Sequence, residues 1–192
     1  MNQQAASSLI RQIQQGDKDS FRKLVESHQQ YAYSIAFKLV CNDYEAEEIV
    51  QEAFIRIWKH INEFNTEMRF STWMYKIVVN LCYDKMKAVK SRGILQFDFE
   101  NSLILNQAST DNPEADLINR EMAELIRFLT HELTPRQKLV FTLSEIEGLT
   151  SDEINKITGL SANKIKSNLY CARQAIKSKL DQIEERKVLY VR

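Results

Sequence analysis

The sequence predicts an all-α fold of two small helical domains joined by an acidic linker, the second domain carrying a helix-turn-helix. Three observations carry this. Only 4 Gly and 2 Pro occur in 192 residues, too few for the tight turns of a sandwich or barrel. Apolar residues recur at helical spacing on both sides of a polar middle segment. Charge is partitioned along the chain: residues 1–92 hold 13 basic and 11 acidic side chains, 120–192 hold 13 and 10, and 93–119 hold no base and five acids, Asp98, Glu100, Asp111, Glu114 and Asp116. Blocks of +2 and +3 thus flank a segment of −5, and the net charge of zero hides them.

The composition, 44% hydrophobic and 27% charged, is that of a globular chain. No run of about 18 apolar residues occurs. The opening MNQQAASSLIRQ lacks a signal-peptide core. The expectation is a cytoplasmic protein without membrane insertion. Cys41, Cys82 and Cys171 are odd in number and far apart, which excludes a disulfide framework or CxxC site and predicts reduced thiols.

From Asn42 the chain reads NDYEAEEIVQEAFIRIWKHI, with Asn42 as N-cap and Glu45, three residues on, expected to return a reciprocal carboxylate. Ala46, Ile49, Val50, Ala53, Phe54, Ile57, Trp58 and Ile61 form an unbroken helical stripe and are assigned to the core. The opposite face holds Glu48, Gln51, Glu52 and Lys59, with Ile55 among them. An apolar residue amid acids on an outer face suggests docking; one stray exposed Ile is the plainer reading.

RFSTWMYKIVVNLCYDKMKAVKSR follows, with Ser71 or Thr72 expected to cap a helix burying Met74, Ile77, Val78 and Leu81. Its other side presents Thr72, Lys76, Asn80, Tyr83, Lys87 and Lys90, with Trp73 beside them and Arg69 and Phe70 before the helix. Residues 69–92 hold six bases and one acid. Cations for phosphates, rings for stacking and amides for base edges are what single-stranded or melted nucleic acid requires.

Residues 93–119, with Gly93, Pro113 and the string NQASTDNPE, show no sustained helical period and read as a linker. Ile94, Leu95, Phe97, Phe99, Leu103, Ile104 and Leu105 exceed what a passive tether needs, so contact with a partner surface competes with that reading.

The carboxy-terminal block holds two capping boxes, Thr134-Pro135-Arg136-Gln137 and Thr150-Ser151-Asp152-Glu153. A short helix from Glu153 to Thr158 meets Gly159-Leu160-Ser161. A second helix runs from Ala162 with Ile165, Leu169, Ala172 and Ile176 inward and Asn163, Lys166, Ser167, Tyr170 and Gln174 outward. Lys156 to Leu180 contains six bases and no acid. Polar groups for base edges flanked by cations for phosphates suit a recognition helix in the major groove.

NDYEAEEIVQEAFIRIW, then FSTWMYKIVVNLCYDKMK, then LTPRQKLVFTLSEIEGLTSDEINKITGLSANKIKSNLYCAR closely resemble the two domains of extracytoplasmic-function sigma factors of bacterial RNA polymerase. The likeness runs from about Ser8 to Leu180. The last motif also resembles response-regulator domains, and the amino-terminal pair is the more specific. The resemblance implies a region 2 domain over 8–92 that binds the clamp helices of core polymerase and recognises and melts the minus-10 element. It implies a linker over 93–119 that threads toward the active-site cleft. It implies a region 4 domain over 120–185 that reads the minus-35 element and docks on the flap. Carried over by motif, core binding falls on Glu48, Gln51, Glu52 and Ile55. Minus-10 contacts fall on Trp73, Lys76, Asn80 and Tyr83, joined by Arg69 and Lys87 on the same cationic face, with the loop from Asn62 to Arg69 holding an extruded base. Minus-35 contacts fall on Lys166, Ser167, Tyr170 and Cys171, with Lys164 and Arg173 on phosphates. Asn168 and Cys171 stand where the family often has basic residues, so a bidentate Arg to guanine is absent there and base preferences do not transfer. Core RNA polymerase, promoter DNA and an anti-sigma factor are the implied partners.

Against an enzyme, His28, His60 and His131 are isolated, and no phosphate loop or nucleophile and base spacing occurs. No catalytic residue, metal site, cofactor or small-molecule substrate is expected. The alternative function is a stand-alone helix-turn-helix transcriptional regulator.

Overall fold

The computed structural model describes residues 3–65, 68–91 and 125–190. The linker at 93–119, with its five acids and its apolar residues, lies outside them, as do positions 66 and 67 of the loop after Asn62. All regular structure in the described residues is helical.

Two helices precede the first one read from the sequence. α1 (Gln3–Gln14) buries Ala6, Ile10 and Ile13, and the Gln14 side-chain amide donates to the Ile61 carbonyl at 2.8 Å. α2 (Lys18–Val40) starts at Asp17, whose carboxylate accepts from the Asp19 amide at 2.9 Å and from the Ser20 hydroxyl at 2.7 Å. It ends at Cys41, which takes the left-handed conformation (φ 56°) and donates its amide to the Phe37 carbonyl. That reversal places Asn42 to cap α3 (Asp43–His60), with its side chain accepting from the Glu45 amide at 2.9 Å. The Glu45 carboxylate turns to Lys85 instead, at 3.8 Å.

α4 (Phe70–Ser91) begins earlier than expected: Ser71 and Thr72 lie inside its first turn, so neither is the N-cap, and the Arg69 carbonyl receives the amides of Thr72 and Trp73. The expected buried side is there, with Met74, Val78 and Leu81 inside and Ile77 half-buried. A second buried stripe joins it. Tyr75, Val79 and Cys82 are buried and Met86 is half-buried, at i, i+4, i+7 and i+11.

The carboxy-terminal half supplies what covers that stripe. Residues 125–130 form α5, followed by α6 (Pro135–Phe141), a wider turn over Thr142–Ile146, α7 (Ser151–Thr158) and α8 (Ala162–Tyr190). Both capping boxes form: the Thr134 amide donates to Gln137 Oε1 and the Thr150 amide to Glu153 Oε2, each at 2.9 Å. The second box starts α7 at Ser151, two residues before the expected Glu153. Gly159, at φ 72°, ends α7 in the left-handed conformation that a side chain disfavours. α6 and α7 pack on α4, and one continuous core runs from Ile10 through Leu24, Ile57, Met74 and Val79 to Leu143, Ile154 and Ile165. A smaller cluster of Leu133, Ala172 and Ile176 anchors α8.

Leu143 is wholly buried in that core, so Leu143→Ala should destabilise the chain by about 2–5 kcal/mol in urea unfolding. His28 is buried on α2 with Nδ1–H donating to the Leu24 carbonyl at 2.9 Å and its ring edge-on to Phe70. Burial lowers its pKa from the usual 6.5, because the cation is desolvated while the neutral ring is not penalised. The unfolded chain therefore binds the extra proton first. Stability should be full above pH 6.5 and fall as pH drops below it, by at most ~1.4 kcal/mol per pH unit. Urea unfolding between pH 7.5 and 5 should show that loss in the parent and a smaller one in His28→Gln.

Candidate partner surface and nucleic-acid interface

α3 turns Ala46, Ile49, Ala53 and Ile57 inward and leaves Glu48, Gln51 and Ile55 exposed, with Glu52 half-exposed, on one outer face. Ile55 is 47% exposed. The acids are held in place: Lys85 Nζ reaches Glu48 at 2.9 Å and Arg56 Nε reaches Glu52 at 2.8 Å. The bond from Lys85 holds the Glu48 carboxyl below its ordinary pKa, so it is ionised at neutral pH. Trp58, assigned to the core by the periodicity, is 39% exposed. It stands edge-on to Phe21 at 4.7 Å, and the two rim an apolar groove of about 640 Å³ between α2 and α3 with Val25, Val50 and Phe54. The last part of the α3 stripe therefore lines a groove with α2. Ile55 and Gln51 also line it, which joins the acidic face to an apolar cleft. No sequence signal on α3 alone reveals it, because Phe21 and Val25 belong to α2.

On α4 the cationic face is open. Thr72, Lys76, Asn80 and Lys87 are exposed, as is Arg69 before the helix. Tyr83 is half-buried, with Lys87 Nζ 4.9 Å from its ring centre and also 3.2 Å from Asp84 Oδ1. Trp73 differs from a free stacking ring. It is half-buried and leans on Phe64 at 4.8 Å and Phe70 at 6.1 Å, a cluster that reaches His28 through Phe70. One edge is fixed by packing and one stays open to solvent, at the end of the loop that returns from Phe64. Ordered aromatics of this kind present a face for stacking at little entropic cost.

On α8, Ile165 and Ala172 are buried and Ile176 nearly so, while Lys164, Lys166, Ser167, Tyr170, Cys171 and Arg173 are all exposed, Tyr170 by 64%. The six expected minus-35 residues therefore share the solvent side. Two carry local partners. The Ser167 hydroxyl donates to the Lys164 carbonyl at 3.2 Å, leaving its acceptor capacity free, and Arg173 Nη2 reaches Glu145 at 2.6 Å across to the turn after α6. Asn168 is half-buried with its amide donating to the Lys164 carbonyl at 2.7 Å, so it supports the helix and does not join the open face. No helix among the described residues is long and apolar enough to cross a membrane.

Two family models match the chain in the order of these surfaces: Sigma-70 region 2 over residues 24–92 and Sigma-70, region 4 over residues 123–176. The chain is similar to the ECF RNA polymerase sigma factor SigW of Bacillus subtilis, 29% identical over 176 residues, covering 89% of this chain and 94% of that protein. It is similar at 29% over 181 residues to the ECF RNA polymerase sigma-E factor of Haemophilus influenzae, covering 92% and 95%. Among solved structures it resembles CnrH in complex with the cytosolic domain of CnrY, at TM-score 0.59 and 20% identity, covering 93% of this chain and 98% of that one. It also resembles the sigma factor RpoE of Bartonella quintana in complex with the anti-sigma factor NepR, at TM-score 0.56 and 19% identity, covering 86% and 98%. At these identities the structural likeness establishes the fold.

Proposed function

The chain belongs to the extracytoplasmic-function sigma factors of bacterial RNA polymerase, and on that premise we propose how its surfaces divide the work. It binds core polymerase and directs promoter recognition and DNA melting for initiation. Residues 8–92 act as the region 2 domain, 93–119 as the acidic connector and 120–185 as the region 4 domain. Its role is non-enzymatic. The observation that carries the reading is the presence of two open cationic faces on one chain, on α4 and on α8. A stand-alone helix-turn-helix regulator needs only the second.

In this reading Glu48, Gln51, Glu52 and Ile55 meet the clamp helices of core polymerase, with the groove beside Trp58 receiving an apolar side chain. Arg69, Lys76 and Lys87 follow phosphates of the melted strand, Trp73 and Tyr83 stack on unpaired bases, and Asn80 reads a base edge. Unstacking a base costs a few kcal/mol, and stacking on an aromatic side chain returns about 1–3 kcal/mol per base. Lys166, Ser167, Tyr170 and Cys171 face base edges of the minus-35 element, and Lys164 and Arg173 its phosphates. Arg173 leaves Glu145 to do so, exchanging one ion pair for another. An anti-sigma protein is the regulatory partner, as NepR is for the Bartonella quintana sigma factor.

Run-off transcription with core enzyme tests the function, since a stand-alone regulator yields no transcript. In the same assay the pair Glu48→Lys and Glu52→Lys should weaken core binding by about tenfold or more at low salt and by less at high salt, where exposed charges are screened. Circular dichroism should show α3 intact, because its buried stripe is unchanged.

Holoenzyme titrated with salt on matched and scrambled minus-35 DNA separates the α8 roles. Lys164→Ala and Arg173→Ala should weaken binding alike on both DNAs and lower the salt slope by about one unit each. Lys166→Ala and Tyr170→Ala should cost about 1–3 kcal/mol on the matched element and much less on the scrambled one. Equal losses on both DNAs for the second pair would mean that the reading face is misplaced.

A further inference from the structure

Lys156 to Leu180 holds six bases and no acid, yet the folded chain sets a carboxylate against the open side of α8. Glu145 lies 28 positions before Arg173, and its Oε1 accepts from Arg173 Nη2 at 2.6 Å. The carboxylate is the more sheltered partner, its side chain 35% exposed against 58% for the arginine, and the Ser144 hydroxyl donates to it at 3.4 Å. The wider turn after α6 carries it there. In that turn the Glu147 amide reaches back five residues to the Thr142 carbonyl at 3.0 Å, and burial of Thr142 and Leu143 anchors it. Single turns widened in this way are frequent at functional sites.

The pair falls on a cation of the reading helix. Lys164, Lys166 and Arg173 share the exposed side of α8, and of the three only Arg173 has an ion-pair partner among the described residues. Pairs this exposed add little to stability, so the fold does not depend on it. Its effect on DNA is larger. To give a full contact to phosphate the guanidinium must first surrender a charge-assisted bond, and the carboxylate it leaves behind then stands near the phosphate it has gained. Arg173 and Glu145 together bring no net charge to the DNA. Sequence-independent binding comes from phosphate neutralisation, to which each unpaired cation adds about 0.9 to the salt slope. A paired cation adds less affinity of that kind, while the base contacts of Lys166, Ser167 and Tyr170 are untouched.

On the reading of Arg173 as a phosphate ligand beside the minus-35 element, we propose that Glu145 is an affinity brake on the α8 surface. It holds Arg173 in the free chain, so that the phosphate contact forms only by breaking an ion pair, and it thereby limits how tightly this surface grips any DNA. The stay on non-promoter sequence, where phosphate contacts act almost alone, is shortened.

Holoenzyme carrying Glu145→Gln, titrated with salt on the matched and scrambled minus-35 DNAs, tests the brake. Gln keeps the shape of the side chain and removes its charge. Affinity at low salt should rise about threefold or more, alike on both DNAs, and the salt slope should steepen by up to about one unit. Glu145→Ala, which leaves Arg173 nothing to bond there, should do the same. In an Arg173→Ala background either substitution should gain little, because the pair it would release is already gone. Urea unfolding should place all these variants near the parent. An affinity that Glu145→Gln and Glu145→Ala leave unchanged or lower, or a gain as large without Arg173 as with it, would overturn the brake. The gain is read on scrambled DNA as well as matched, so it is decided even if the parent does not distinguish the two, which would be the separate failure of the minus-35 reading.

Discussion

A single helix must bury two of its sides and keep the third wet, and the rest of the molecule is arranged around that constraint. At about 100° per residue, Phe70, Met74, Val78 and Leu81 share one sector of α4, Tyr75, Val79, Cys82 and Met86 a second, and Thr72, Lys76, Asn80 and Lys87 a third. The first packs on the amino-terminal helices, as the ring contact of Phe70 with His28 shows. The second takes α6 and α7. The third stays open along Lys76, Asn80 and Lys87, with only Thr72 at the edge of the cleft toward α7. Burial of both apolar sectors rigidifies α4, and the proposed role of its third sector in holding melted bases would call for that, since loose side chains would lose entropy on every contact.

Capping chemistry does for the second half what the core does for the first. Thr134 and Thr150 each close a reciprocal box with the residue three positions on, so α6 and α7 begin at defined residues despite their short lengths. Gly159 then turns the chain so that α8 buries Ile165 and Ala172 and presents Lys166, Ser167 and Tyr170 outward. The same residues that end one helix aim the next.

Much of this was legible in the chain. The α3 stripe apart from Trp58, the Asn42 side-chain cap, both capping boxes and the outward set on α8 follow from local spacing, and these form. α2 did not announce itself. Its buried line includes Ser20, His28 and Ala32 beside Leu24 and Ile35, and polar or small residues at core positions blur the apolar period. Trp58 was misplaced for a related reason: periodicity says which residues share a side, and whether anything covers that side depends on another helix.

The sequence by itself determined α3 and its Asn42 cap, both capping boxes, the outward set of α8, the sign of each charged block and the family resemblance, because these depend on residues close along the chain or on motifs read in order. Tertiary structure decided which sectors are covered. Only packing shows that the second stripe of α4 is closed by α6 and α7, that Lys38 finds Glu147 more than a hundred positions away, and that Trp58 opens into a groove with Phe21. Such pairings bring together residues remote in sequence, and no local period encodes the partner that a face will meet.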